Sequence, residues 1–379
     1  MFRRTAALRP AARRLLSSSP TAVTPAALRH SADRMVAFYL RDQLPSGQIA
    51  GLEDASHYCK MPNALVWGGY IPEADKMLDF CAERFLQPNG DFTTVPHDGH
   101  FAPQEQKTLH WEFYDFYAYL NQWWITAGVR LSRNDFVPKA FDYVQRHWYN
   151  PTAQAGILQE PLDGRYENCI FTTAHLGFTF LHMGDARATQ LGETIVKMVA
   201  AQPHLDDDKL TYYNRFDDGH SLLLSFAPDN PGVKLAAIVD GKQPSQCWWS
   251  LGYPVAFLAH LHAATGDARY LATAERILGF VARCHPDARN SIIAHKVMWG
   301  ASLVGNLTGK AEHWDLVRSI AGHIINEGQA EDGRVLNWGW ERGTAYGNAQ
   351  VVDQTCEIAY WFYVVAQQME KAEHAGRLH

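Results

Sequence analysis

Histidines and carboxylates recur at helical spacing along this chain, and these are the side chains that move protons near neutral pH. His57 with Asp54, His110 with Glu112, Glu160 and Glu167, His175, His295 and the pair Asp353/Glu357 form the candidate set. General acid–base catalysis needs two such groups on opposite sides of a substrate, with pKa values moved toward neutrality, and burial beside apolar walls does this for carboxylates. Asp353 and Glu357 stand one helical turn apart, so both can face one way, and like-charge proximity raises the pKa of one of them. On this reading His57, His110 or His175 removes a proton, while Glu167, Asp353 or Glu357 protonates the leaving oxygen. Asp54, Tyr58, Tyr114, Asn168, Tyr213, Trp248, His295 and Trp340 are expected to contact the substrate, the aromatic ones as walls.

Several sharper patterns are absent. Neither HExxH nor HxxEH occurs, GxGxxG and GxxxxGK[ST] are missing, and Asp206-Asp207-Asp208 lacks the DxDD order of protonating cyclases. Cys247, Cys356, Asp353 and His295 do not have the spacing of a zinc site, so neither a metal nor a cofactor is expected. The cysteines (Cys59, Cys81, Cys169, Cys247, Cys284, Cys356) are widely spaced and include no CxxC, which reads as free thiols acting as small buried hydrophobes.

The elements that must position these groups are helices of two alternating kinds. Amphipathic helices are expected near residues 26–43, 72–87, 134–148, 185–201, 267–284 and 311–326. Helices rich in His, aromatic and small polar residues alternate with them near 56–69, 110–127, 168–183, 245–264, 291–307 and 350–370. The second kind carries polar stripes at i, i+4, i+7 and i+11: His110, Tyr114, Tyr117 and Asn121; Asn168, Thr172, His175 and Thr179; Gln246, Ser250 and Tyr253; Ser291, His295 and Ser302; Asp353, Glu357 and Tyr360. Converging stripes of this sort cost desolvation unless they line a wet or ligand-filled space. A deep axial pocket is therefore expected. Connections out of the stripe-bearing helices are short Gly-containing turns, with GDAR occurring at both 184–187 and 266–269, whereas the opposite connections are mostly long. One face is thus structural and the other, bearing the long loops, chemical.

This order of helices and loops resembles the (α/α)6 toroids: six-hairpin glycosidases and sugar epimerases, terpenoid-cyclase-like rings, and the linalool dehydratase/isomerase type. Gly156-Ile157-Leu158-Gln159-Glu160-Pro161, leading to Glu167-Asn168-Cys169, looks like the segment that feeds the active site in the last of these. The resemblance implies an all-α toroid over residues 26–371, followed by a short tail at 372–379.

A net charge of −6 and no basic stripe argue against nucleic acid as a partner, and no apolar run is long enough to span a bilayer. The first 25 residues are rich in Arg, Ser and Ala and contain no acidic residue, the composition of a mitochondrial or, alternatively, a plastid transit peptide. The leading expectation is a metal-independent lyase or isomerase acting on a small molecule in the axial pocket. A carbohydrate enzyme on the same ring, glycosidase or epimerase, is the first alternative and a non-catalytic binding scaffold the second. A facing carboxyl pair roughly 5–9.5 Å apart across an open groove would mark the glycosidase. Sequence leaves the oligomeric state open.

Overall fold

The computed structural model describes residues 21–94, 117–159, 167–225, 237–336 and 345–378. The amphipathic helices are α1 (Pro25–Leu40), α4 (Ile71–Phe85), α6 (Val137–His147), α8 (Arg187–Ala200), α10 (Ala268–Arg283) and α12 (Ala311–His323). The stripe-bearing ones are α3 (Met61–Gly68), α5 (Tyr117–Arg130), α7 (Ile170–His182), α9 (Trp249–Thr265), α11 (His295–Thr308) and α13 (Ala345–His374); a single turn, α2 (Ala55–Tyr58), precedes α3. Each of the first set buries one side only, as α4 does with Ala74, Met77, Leu78, Cys81 and Phe85. The second set is enclosed all round: every residue of α7 from Ile170 to Phe180 is buried.

These two burial patterns define outer and inner layers. Inner helices touch in the order α3, α5, α7, α9, α11, α13 and back to α3, so the ring closes on itself, and each outer helix packs on an inner partner, α1 on α13. Closure makes α7 and α13 opposite one another, likewise α5 and α11, and α3 and α9. All six inner helices run the same way, with their N-terminal turns at the long-loop face. At the other face Gly69, Gly266 and Gly309 end α3, α9 and α11 in the left-handed conformation, with φ of 83°, 76° and 71°.

The outer helices are tied to one another by a device that sequence reading did not single out. Three tight loops, around Gly47, Gly90 and Gly333, carry these glycines at φ of 91°, 99° and 95°. Each glycine presses on the backbone of the next outer helix: a Cβ would lie 2.1 Å from the Lys76 carbonyl oxygen, 2.4 Å from that of Lys139 and 2.1 Å from that of Arg34. Each loop is pinched by a single bridge, Gln43 to Ile49, Leu86 to Phe92 and Gln329 to Val335. The third loop follows α12 and docks on α1, so it joins the last outer helix to the first.

Several element boundaries differ from expectation. The first inner helix is broken at Cys59–Lys60, where α3 restarts with Pro62 near its N-terminus. Glu167 and Asn168 belong to a strand rather than a helix, and α13 continues through buried Ala372 to His374. The long connections also contain short strands within the all-α ring. β1 (Tyr149–Asn150), β2 (Ala155–Gln159), β3 (Glu167–Cys169) and β5 (Arg215–Phe216) form one antiparallel sheet in that order, with Ile157 opposite Asn168 and Asn168 opposite Phe216. β4 (Thr211–Tyr213) pairs with β6 (Ile238–Asp240). Strands of two to five residues leave too little alternation in sequence to be read. No described helix is long and apolar enough to cross a membrane.

Candidate active site

At the long-loop end of the ring, all six inner helices bring one side chain or more to the axis. Glu357 on α13 is the hub. Its Oε1 lies 2.7 Å from Lys296 Nζ and accepts from Trp361 Nε1 at 3.2 Å and from the Tyr119 hydroxyl at 3.3 Å. Its Oε2 lies 2.7 Å from Lys60 Nζ and 3.4 Å from His295 Nε2. Lys60 also reaches Asp353 Oδ2 at 2.6 Å. Lys60 and Lys296 are 4% exposed and Glu357 1%, so this is an ionic network out of water, where charges must be compensated.

Local chain geometry fixes each member. Lys60 stands at the break between α2 and α3, and Lys296 is the second residue of α11, entered through the 3-10 turn Ile292–Ala294. His295 Nδ1 is 2.8 Å from the Ile292 carbonyl oxygen, which can only accept; Nδ1 therefore carries the hydrogen and Nε2 presents its lone pair to Lys296 Nζ at 3.2 Å. Lys296 Nζ also lies over the rings of Trp249, Tyr253 and Tyr119, at 5.4, 5.8 and 5.8 Å.

The network pushes its pKa values apart. Burial opposes the charge of Glu357, but Lys296 and Lys60 hold its carboxyl well below the usual range. Burial raises Asp353, with help from Glu357 and against the pull of Lys60. Burial also works against the charge of Lys60, and Asp353 and Glu357 overcome it and raise the pKa. For Lys296 burial wins, with Lys60 adding repulsion, and its pKa falls to about 8 despite Glu357. Across the ring, burial and then the charge of Lys296 keep His175 on α7 neutral, well below the ordinary histidine value.

His175 lines a recess with Tyr119, Gln122, Ile157, Leu158, Phe171 and Thr172; its volume is about 10 Å³, room for about one water. Expectation pointed to a deep pocket, but among the described residues the recess is narrow, because deeper in the ring aromatic rings meet. Trp299 and Trp361 stack at 3.9 Å between centroids, and Trp123 packs on Trp361 at 5.7 Å. Buried polar atoms lack a hydrogen-bond partner: both amide atoms of Gln122, in the recess, and Asp353 Oδ1, in the ionic network. Such groups suit a hydroxyl-bearing ligand or bridging water, since unsatisfied buried polar atoms are costly.

The residues singled out from sequence divide clearly. His175, His295, Asp353 and Glu357 meet at the axis. His57 is half-buried on α2. Glu167, with its side chain 41% exposed, pairs with Arg215 at 2.6 Å, on the small sheet. Asp54, expected to bind substrate, caps α2 instead, accepting from Ser56 N at 2.8 Å and from the Thr94 hydroxyl at 3.0 Å. Tyr58 donates to the Leu52 carbonyl at 2.7 Å and packs on Phe80 and Phe85. Asn168 bonds to Asn150 and Asp218, Trp248 donates to Asp287 at 2.9 Å, and Tyr213 is held through its backbone by Gln202. His110, Tyr114 and Trp340, with Glu112 and Glu160, lie outside the described residues.

Lys60, Lys296, Gln122 and Tyr119 were not found from sequence. The available signal was a lysine inside a helix otherwise lacking charge, as Lys296 is within His295–Thr308. The cysteines are buried and free; burial pushes Cys247 up to about 12.

Neither a family-level sequence pattern nor a curated sequence matches this chain. Solved structures do share its fold. A D-mannose isomerase aligns with a TM-score of 0.59 at 11% identity, covering 88% of this chain and 96% of its own. A GH76 α-mannanase of Bacteroides thetaiotaomicron aligns with 0.60 at 12% identity, over 92% and 97%. The cellobiose 2-epimerase of Bacillus thermoamylovorans aligns with 0.56 at 12% identity, over 88% and 98%. All are (α/α)6 toroids, and at such identities the likeness establishes the fold.

Proposed function

We propose that this protein is a proton-transfer isomerase or epimerase of a small sugar or related polyhydroxy carbonyl compound. The observation that carries the reading is the opposition, across one closed ring, of a neutral His175, lining a recess with the unsatisfied amide of Gln122, and a raised-pKa Asp353 whose Oδ1 is itself unsatisfied. Two titratable groups driven apart in pKa on facing walls are what an acid and a base require. His175 takes the proton from the carbon next to the carbonyl. Asp353 gives one to the carbonyl oxygen, and the Lys60 ammonium, paired with the ionised Glu357, stabilises the oxygen as charge develops. Glu357 is held ionised and serves as the anchor, not the proton donor that sequence suggested. The D-mannose isomerase and the cellobiose 2-epimerase of like fold support a carbohydrate substrate.

A glycosidase fits less well. Asp353 and Glu357 are the carboxylates at the axis among the described residues, and both sit on one helix within 2.7 Å of one ammonium. Hydrolysis instead needs two carboxyls facing each other across the bond to be cut.

The test is a panel of aldoses and ketoses incubated with the purified chain and followed by NMR. Interconversion is expected, and His175→Asn and Asp353→Asn each lower kcat by roughly 10²–10⁴-fold. Full activity in both variants contradicts the assignment. We also infer organelle import from the arginine-rich leader; a fluorescent fusion of residues 1–25 that stays in the cytosol contradicts it.

A further inference from the structure

The proposed proton transfer leaves Lys296 unused, although it is a costly group to bury. Groups from all six inner helices act on its Nζ: the charges of Lys60 on α3 and of Asp353 and Glu357 on α13, the rings of Tyr119 on α5 and of Trp249 and Tyr253 on α9, His175 on α7 and its neighbour His295 on α11. The two buried lysines differ in partners. Lys60 lies 2.6 and 2.7 Å from two carboxyl groups, Asp353 and Glu357, and the ionised Glu357 holds its charge. Lys296 holds one carboxylate oxygen at 2.7 Å and faces, at 3.2 Å, the lone pair of an imidazole nitrogen able to take a proton. An ammonium also donates to such a nitrogen; what matters is that a neutral imidazole can take up the proton an attacking amine must shed.

We propose that Lys296 is a carbonyl-capturing amine: seated between Glu357 and the unprotonated His295 Nε2 inside an aromatic box, its Nζ adds to an aldehyde or ketone and holds it as an imine. The neutral amine forms the C–N bond as the carbonyl π electrons move to oxygen. One nitrogen-bound proton passes through His295 to that oxygen and gives the carbinolamine. The Asp353 carboxyl then protonates the hydroxyl, the C–O bond breaks and water leaves. The product is a cationic imine paired with Glu357 and a newly ionised Asp353, so atoms and charge balance without an added reagent. The cationic imine is a stronger electron sink than a carbonyl for the proton that His175 removes. Lys296, at about 8, has far more free amine at neutral pH than an ordinary lysine.

This inference rests on the carbonyl substrate of the proposed isomerase, yet its test needs no knowledge of that substrate. The protein is treated with glycolaldehyde and cyanoborohydride at about pH 7.5, near the lowered pKa, and lysine modification is mapped by peptide mass spectrometry. Lys296 is expected to gain a hydroxyethyl group roughly tenfold faster than exposed Lys76 and Lys242. In Lys296→Arg, which keeps the charge, that peptide stays unmodified while the melting curve is retained. Labelling that spreads over exposed lysines and spares Lys296 overturns the inference, and because wild type carries this result, a variant that fails to fold does not blunt it. Normal sugar turnover without trapping defeats the imine alone. Trapping without turnover of any sugar defeats the isomerase reading and leaves the reactive amine standing.

Discussion

The two ends of the ring are built from the same six inner helices, yet one end holds charges and the other holds neutral rings. At the long-loop end, N-terminal turns converge and Lys60, Lys296, Asp353 and Glu357 share one network. At the short-turn end, Trp299, Trp361, Tyr360 and Phe178 fill the bore, with Arg130 beside them, held by the Tyr360 hydroxyl at 3.2 Å and by His182 at 3.3 Å. Helix direction accounts for part of this division: Arg130 ends α5, where the C-terminal dipole favours a cation. Chain connectivity accounts for the rest. Short glycine turns leave no room for substrate entry, so that end serves packing and can be filled with aromatic rings, whose mutual contacts set the depth to which a ligand penetrates.

The contrast can be broken most forcefully at its charged end. Glu357→Ala removes the carboxylate shared by two buried ammonium groups and is expected to cost about 3–5 kcal/mol in denaturant unfolding, along with activity. A loss no greater than that of a surface ion pair would mean that the network is wetter than described. At the filled end, Trp299→Ala opens a cavity beside Trp361, with an expected cost of about 3 kcal/mol, while Lys296 remains reactive toward aldehydes. Loss of that reactivity would show that the two ends do not act separately. Ring closure is probed by Gly333→Ala, which places a Cβ at φ of 95° against the Arg34 carbonyl; about 1–3 kcal/mol of destabilisation is expected in thermal melts, with little change at the axis.

The smallest effect concerns pH. Burial lowers His182 to about 4 and His260 to about 3, from an ordinary value of 6.5. An unfolded chain takes up these protons first as pH falls, so stability is complete above pH 6.5 and declines toward those folded values. Both side chains retain some exposure, and replacing His182 by Gln should recover on the order of 1 kcal/mol near pH 5. Equal acid sensitivity in wild type and variant would place the titrating groups elsewhere.

The sequence made the ring legible because outer and inner helices differ in composition over whole helices, and Leu271 to Val281 in α10 shows the apolar stripe plainly. The same logic found His175, His295, Asp353 and Glu357, which stand on the stripes of helices enclosed on all sides. It failed for Asp54 and Tyr58, whose types suit a site equally well but which cap a turn and fill a gap between layers. Lys60 and Lys296 escaped because a lysine is ordinarily a solvated residue, and only the carboxyl groups on the neighbouring helix α13, some 60 and 290 residues away in sequence from Lys296 and Lys60 respectively, make their burial tolerable. The loops around Gly47, Gly90 and Gly333 repeat a geometry rather than a motif. Their common need is a positive φ against a neighbouring backbone, and the residues around each glycine differ.

Solvent exchange tests the central claim most directly. The chain is incubated in D₂O with an aldose or ketose that it turns over, and the sugar is followed by NMR. Deuterium entering the carbon beside the carbonyl, in wild type and not in His175→Asn, is the predicted result. Turnover without exchange at that carbon, or with exchange unaffected by loss of His175, would contradict proton transfer at this axis.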